Sequence, residues 1–119
     1  MLHRTLFFKV GMLFEKAKLA RMEGSFIKWM NMVAKCNLLI IDDFGTVPID
    51  QQGRNLLMEI IDQRYEQTST IITSQIPVAD WHQLIGEATI ADAIMDRLVY
   101  SSHRIELQGE SLRRKKKLG

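Results

Sequence analysis

The stretch Asn37-Leu-Leu-Ile-Ile-Asp42 decides the fold of this 119-residue chain. It is a continuous apolar run, which is typical of a strand buried on both faces of a parallel sheet. A second β-rich run, Thr68-Ser-Thr-Ile-Ile-Thr73, follows after an amphipathic helical stretch. Strands that alternate with helices indicate an α/β fold in which helices flank a parallel sheet.

The remaining segments fit the same alternation. Ser25 and Asp50 stand where a side-chain cap would begin the second and third helices. Besides the two runs above, the predicted elements are strands over Thr5–Val10 and His103–Leu107, and helices over Met12–Met22, after Ser25, from Asp50 to Tyr65, over Val78–Ile85 and over Thr89–Tyr100.

Two carboxylates, Asp42 and Asp43, emerge together where the first apolar run ends. Adjacent acids repel each other, so a cation is expected to compensate them. Mg²⁺ suits carboxylate oxygens, retained waters and substrate phosphates, which makes this the Walker B pattern. In that interpretation Asp42 holds the Mg²⁺ shell, and Asp43 orients or deprotonates an attacking water. An ordinary solvated turn is the equally weighted alternative, because four apolar residues before an acid are common.

Polar residues at two further places are candidates for the same site. The second β-rich run ends in Thr73-Ser74-Gln75, where a polar side chain lies beside the acidic pair and would sense a γ-phosphate or position water, with Ser74 and Gln75 as the candidates. Arg97 lies in the last predicted helix, and its planar guanidinium suits phosphate oxygens of a neighbouring subunit's nucleotide. A capping role for Ser74 and Gln75 and a surface ion pair for Arg97 are the simpler interpretations.

Composition bounds the possible classes of protein. The chain is 46% hydrophobic and 25% charged, the ordinary balance of a soluble globular domain, which argues against a disordered or fibrous protein. Cys36 is the sole cysteine, so an internal disulfide is excluded and a cytoplasmic location is expected. No apolar run approaches the ~20 residues of a membrane span. Both ends are basic and the centre is acidic, and the tail Arg113–Lys117 suits nucleic-acid phosphates.

The motifs together resemble the carboxyl-terminal part of the IstB-like transposition helper ATPases, which are AAA+ proteins related to the DnaC helicase loader. The resemblance covers nearly the whole chain. Its segments are LLIIDDFG (Leu38–Gly45), LLMEIIDQRYEQ (Leu56–Gln67), STIITSQIPVADWHQLIG (Ser69–Gly86) and TIADAIMDRLVYSSHRIELQGESLRRK (Thr89–Lys115).

The resemblance implies roles for particular residues. Asp42 and Asp43 are the Walker B acids, and Gln75 with Ser74 beside it is sensor I. Arg97 is the arginine finger acting between subunits, and Arg113 is sensor II. Members of this family bind ATP and Mg²⁺, form oligomers on DNA and deliver a transposase to its target. The implied division is an AAA+ core over residues 1–107 and a basic tail over residues 108–119.

The phosphate loop of the family is missing from these residues. None of the seven glycines opens a Gly-x-x-x-x-Gly-Lys-Ser/Thr motif, so no ring of backbone N–H groups cradles the β and γ phosphates. The chain is therefore expected to be a truncated core that does not hydrolyse ATP alone. In AAA+ sheets the phosphate-loop strand lies beside the sensor I strand. The Ser69–Thr73 strand is thus expected to have an open edge, filled by His103–Leu107 or by a second chain.

Three functions stay open at this point. The first is a transposition helper without its nucleotide cradle. The second is a DnaC-type helicase loader, which differs in its partner and not in its chemistry. The third is a non-catalytic module that joins DNA or an intact helper through the basic ends.

Overall fold

A computed structural model describes the backbone of residues 4–101 and the side chains of residues 4–98. The predicted order of elements is confirmed over this range. Strands β1, β2 and β3 span Thr5–Lys9, Leu38–Asp42 and Ser69–Ile72, and helices α1 to α5 span Val10–Met22, Phe26–Lys35, Gln51–Arg64, Trp81–Ile85 and Ala88–Ser101. A single 3₁₀ turn, Val78–Asp80, leads into α4.

The three strands form a parallel sheet in the order β1-β2-β3, which confirms the predicted α/β class. Each crossover moves one strand in the same direction. Because such crossovers are right-handed, the helices that connect the strands lie on one face of the sheet. Leu39 and Ile41 of β2 point into this helix-covered face and are fully buried.

The opposite face, which we call the bare face, is not covered by the described helices. Phe7, Ile40 and Ile71 form one row across it, because Phe7 pairs in register with Ile40 and Ile40 with Ile71. Phe7 is 57% exposed and Ile71 47% exposed. The expectation that β2 is buried on both faces is therefore wrong for residues 4–98, because the helices line up on one side only.

The start of α3 agrees with the sequence-based prediction, whereas the starts of α2 and α1 differ from it. Asp50 caps α3 as predicted, since its carboxylate accepts a hydrogen bond from the Gly53 amide at 2.8 Å. Ser25 does not cap α2, because its hydroxyl is directed at the Ala20 carbonyl. Helix α1 begins at Val10 and not at Met12, because the chain turns into it directly after β1.

One charged side chain, Arg64, is buried inside the core at 2% exposure. Its guanidinium donates to the carbonyls of Val33 and Cys36, each at 2.8 Å, near the end of α2. It also donates to the Thr70 hydroxyl at 2.8 Å and to the Ser69 carbonyl of β3. Burial lowers the pKa of Arg64, and the neighbouring Cys36 partly opposes this effect. Arg64 thus ties α2, α3 and β3 together.

Three sequence-based predictions lie outside the described residues. They are the strand His103–Leu107, the sensor role of Arg113 and the domain boundary at residue 107. Within residues 4–101, no helix is long and apolar enough to cross a membrane.

Candidate functional site

The candidate site lies at the carboxyl ends of β2 and β3. Asp42 ends β2, and its carboxylate accepts a hydrogen bond from the Thr73 hydroxyl, which follows β3. The same hydroxyl accepts a hydrogen bond from the Asp43 amide at 3.2 Å. The backbone of Thr73 is also hydrogen-bonded to β2 and to the turn after it. Its amide donates to the Ile41 carbonyl at 2.9 Å, and its carbonyl accepts from the Phe44 amide at 2.9 Å. A single threonine therefore fixes both acids relative to β3.

Asp43 takes an unusual backbone conformation that turns the chain away from the sheet. Its φ is +61°, in the left-handed region that costs about 1 kcal/mol or more for a residue with a Cβ. Thr46 stabilises the turn, because its hydroxyl donates to the Asp43 carbonyl at 2.8 Å. Phe44 anchors the turn in the core, with its ring 4.7 Å from that of Trp81. The Asp43 side chain stays 39% exposed at the rim of the sheet.

Lys9 brings a positive charge to the acidic pair. It ends β1 and pairs in register with Asp42. Its ammonium lies 4.0 Å from the Asp43 carboxylate, and the Lys9 side chain is 69% exposed. An exposed ion pair of this length contributes little stability, so Lys9 screens the two acids without neutralising them.

The structure brings Ser74 to the edge of this site in a structural role. Its hydroxyl donates to the Phe44 carbonyl and accepts from the Ile76 amide at 3.0 Å. It thereby links the turn after β2 to the turn after β3. Gln75 is exposed beside it. The sensor role of these two residues stays a prediction.

Arg97 lies at the other end of the sheet. Its guanidinium donates to the Asp62 carboxylate at 2.9 Å and to the Ala93 carbonyl at 3.2 Å. It lines a groove with Leu38 and Ser69, the first residues of β2 and β3. The length of β2 separates these amino ends from Asp42 by about 13 Å. Arg97 is therefore not brought to the acids of its own chain, and its role between subunits stays a prediction.

Sequence reasoning places Thr73 at the strand end beside the acids without giving it a contact, and it misses Lys9. Both sit opposite Asp42 across the sheet, and only the register between strands reveals this position. The sequence offers a partial signal. If the two apolar runs are aligned so that Ile41 pairs with Ile72, the next residues along each strand, Asp42 and Thr73, lie opposite each other.

The oxygens that meet here suit a hard cation, although they form an incomplete ligand set. Within residues 4–101, no group of three or more His, Cys, Asp or Glu side chains is placed to hold a metal ion. Mg²⁺ often binds through one or two carboxylates, with waters and substrate phosphates as its other ligands. The pair of Asp42 and Asp43 fits that mode of binding.

Comparison with known proteins decides the family. A model of the family described as IstB-like ATP binding protein matches residues 3–119. The chain belongs to this family. A putative insertion sequence ATP-binding protein of Sinorhizobium fredii is 50% identical over 109 residues, which is 92% of this chain and 44% of that protein. The putative ATP-binding protein of insertion sequence IS21 from Pseudomonas aeruginosa is 32% identical over 97% of this chain and 43% of its own length.

A solved structure shares the fold of this chain. The crystal structure of the DnaC helicase loader matches with a TM-score of 0.63 and 24% identity, over 80% of this chain and 58% of that one. The likeness confirms the predicted fold, a parallel sheet flanked by helices. The chain spans less than half the length of both relatives named above.

Proposed function

We propose that this chain forms the part of the ATP site of an IstB-like helper ATPase that binds Mg²⁺ and positions the attacking water. Such an ATPase acts in the transposition of an insertion sequence. The observation that supports the proposal is the joining of Asp42, Asp43 and Thr73 at the carboxyl ends of two adjacent parallel strands. Ligands of open α/β sheets bind at this end of the strands.

The geometry suggests a division of labour between the acids. Asp42 is held by Thr73, which directs its carboxylate along the rim of the sheet and suits it to bind Mg²⁺ through water. Bound Mg²⁺ would neutralise charge on the phosphates. Asp43 stands on the strained turn, more than a third exposed, where its carboxylate can accept a proton from a water. Ser74 and Gln75 line the same rim as sensors.

The 119 residues do not supply the rest of the nucleotide site. They contain no Gly-x-x-x-x-Gly-Lys-Ser/Thr motif, so the groups that would cradle the β and γ phosphates are absent from this sequence. We therefore expect this chain alone to show no ATP hydrolysis. A complete site needs that motif, Arg97 of a neighbouring subunit in a homo-oligomer, and Arg113.

Insertion-sequence proteins point to transposition rather than helicase loading. Both sequence relatives described above carry insertion sequence names, whereas the likeness to the DnaC loader shows the fold alone. We accordingly propose DNA and a transposase as partners, in the cytoplasm. Retention of a transposase in a pull-down supports this assignment. Retention of a replicative helicase instead would favour the loader.

Binding of Mn²⁺ to this chain alone tests the proposed Mg²⁺ site. Mn²⁺ replaces Mg²⁺ at oxygen ligands, and its unpaired electrons broaden nearby amide signals in NMR spectra even at low occupancy. We expect substoichiometric Mn²⁺ to broaden the amides of Asp42, Asp43 and Thr73 first. Asp42→Asn should abolish the effect, and Asp80→Asn, which changes an exposed acid of the 3₁₀ turn, should not. If Mn²⁺ broadened the amide signals of residues 42 and 43 as much in Asp42→Asn as in the wild type, the proposal would be contradicted.

A further inference from the structure

Lys9 lies in a row with Asp42 and Thr73 across the carboxyl ends of the three strands. It pairs in register with Asp42, and the Thr73 hydroxyl is hydrogen-bonded to the Asp42 carboxylate from the other side. Side chains alternate along a strand, so Lys9 falls on the same face as Phe7, and Asp42 on the same face as Ile40. Lys9 and Asp42 therefore share the bare face of the sheet.

The Lys9 ammonium is held near the acids by charge alone. Its Nζ lies 4.0 Å from the Asp43 carboxylate, which is longer than a hydrogen bond. The side chain of Lys9 is 69% exposed and that of Asp43 is 39% exposed. A pair of this kind contributes little to the stability of the fold, because water screens it. Its positive charge nevertheless acts on any ion that approaches the acids.

Local stability does not account for a lysine at this position. Lys9 is the N-cap residue of α1, and its side chain makes no capping hydrogen bond. N-cap positions favour Ser, Thr, Asp and Asn, and the positive end of the helix dipole repels a cation. The nearby acids are the groups that a positive charge at residue 9 does favour.

A divalent cation at the acidic pair would meet the charge of Lys9 at short range. At ~6 Å in water, the repulsion between a doubly charged and a singly charged ion corresponds to about a tenfold loss of affinity. Salt with a Debye length of about 8 Å reduces this loss to about threefold. A cation that arrives with phosphate groups brings negative charge that offsets the ammonium, so the penalty falls on the free ion.

We propose that Lys9 competes with free Mg²⁺ for Asp42 and Asp43 and thereby lowers the affinity of the pair for that ion. This inference rests on the proposed function, since it takes the acidic pair as the Mg²⁺ site. Lys9 then makes binding of the cation depend on the phosphates of a nucleotide, whose charge compensates the ammonium.

Titration of the full chain with Mn²⁺ in about 0.15 M salt tests the competition. The electron paramagnetic resonance signal of the free ion gives the dissociation constant, and broadening of the Asp42 and Thr73 amide signals in NMR spectra locates the bound ion. We expect Lys9→Met, which keeps most of the apolar stem and removes the charge, to tighten Mn²⁺ binding about threefold or more. Lys9→Gln removes the same charge with a polar side chain and should agree with it.

Two control variants separate the local charge from other effects. Lys9→Arg keeps the positive charge and should bind Mn²⁺ no more tightly than the wild type. Lys35→Met removes an exposed lysine from the last turn of α2, shortly before the amino end of β2, and should leave the dissociation constant unchanged. Lys35→Met thus controls for the change in net charge.

The results that would overturn the inference differ in what else they contradict. If the wild type, Lys9→Met and Lys9→Gln bind Mn²⁺ equally well at the acids, or if Lys35→Met tightens binding as much as Lys9→Met, the role of Lys9 is wrong and the Mg²⁺ site stands. If neither the wild type nor Lys9→Met shows broadening that the further change Asp42→Asn removes, the proposed Mg²⁺ site is wrong as well.

Discussion

Thr73 is the residue on which the candidate site depends for its shape. Thr73→Val keeps the side-chain volume but removes the hydroxyl that bridges the Asp42 carboxylate and the Asp43 amide. We expect a loss of about 1 kcal/mol in the free energy of unfolding, measured in urea, because the bridge is solvent-exposed. Thr73→Ser retains the hydroxyl and serves as the control. Equal losses in both variants would show that the bridge contributes nothing.

Asp43 holds its position at a cost in backbone energy. Its φ of +61° is one that glycine adopts freely. Asp43→Gly should therefore leave the protein equally stable or more stable by up to about 1 kcal/mol, although it removes the proposed water-binding carboxylate. Asp42→Gly, a change within β2, should destabilise it. Thermal unfolding of the two variants compares them, and a lower midpoint for Asp43→Gly than for Asp42→Gly would refute this account of strain.

Arg64 makes the opposite kind of contribution, since it stabilises the core and lies away from the acids. Arg64→Met removes the guanidinium donors to the Val33, Cys36 and Ser69 carbonyls and leaves the Cys36 thiol as a donor to Val33. We expect a loss of about 3 kcal/mol in urea unfolding, because buried carbonyls near the end of α2 lose their charged hydrogen-bond donor. Arg21→Met changes an exposed arginine near the end of α1 and is the control. A loss under 1 kcal/mol for Arg64→Met would contradict this role.

Single residues also show where prediction from sequence ends. Arg64 follows Leu57, Ile60 and Ile61 at helical spacing, so its place on the buried stripe was visible. What the pattern does not show is that the end of α2 supplies carbonyls to receive it. The sequence identifies Thr73, Ser74 and Gln75 as the strand end beside the acids, but it does not show that Thr73 is the one that contacts Asp42, because register is a property of two strands together.

At the scale of elements, Glu87 caps the start of α5. Its carboxylate accepts the amides of Ile90 at 2.8 Å and Thr89 at 3.1 Å. These hydrogen bonds favour the ionised form, the bond from Ile90 most strongly, and lower the pKa of Glu87 below its ordinary 4.5. The stabilisation is therefore present above pH 4.5 and is lost as the pH falls through the lowered value.

The variant Glu87→Ala tests the direction of this pH dependence of stability. The variant should be less stable than the wild type at pH 7, and the difference should shrink steadily below pH 4.5, as measured by urea unfolding across the pH range. Glu59→Ala, at an exposed position in the middle of α3, should show no comparable narrowing. A difference for Glu87→Ala that grows as the pH falls would contradict the capping role.

The elements themselves were largely predictable. Periodicity placed β2, β3 and the long helices to within a few residues, because their apolar patterns reflect burial directly. The bare face was not foreseen, since an apolar run looks the same whether one or both of its faces are covered. The start of α1 was missed because Gly11 resembles a strand end, whereas here it lies inside the first turn of the helix.

At the scale of the whole molecule, the two faces of the sheet differ in what covers them in the described part of the chain. Helices cover the face with Leu39 and Ile41, and the bare face and the β3 edge remain open in the described part of the chain. The acids sit at the rim between these two sides. This layout agrees with a chain that supplies one wall of a shared nucleotide site.

A chimera tests that central claim most directly. The matching segment of the Sinorhizobium fredii relative, 50% identical to this chain, would be replaced by residues 1–119, and Mg²⁺-dependent ATP hydrolysis measured beside Asp43→Asn and Asp80→Asn versions. We predict that the chimera hydrolyses ATP, that Asp43→Asn slows it about a hundredfold or more, and that Asp80→Asn leaves it unchanged. An Asp43→Asn chimera as fast as its parent would contradict the account.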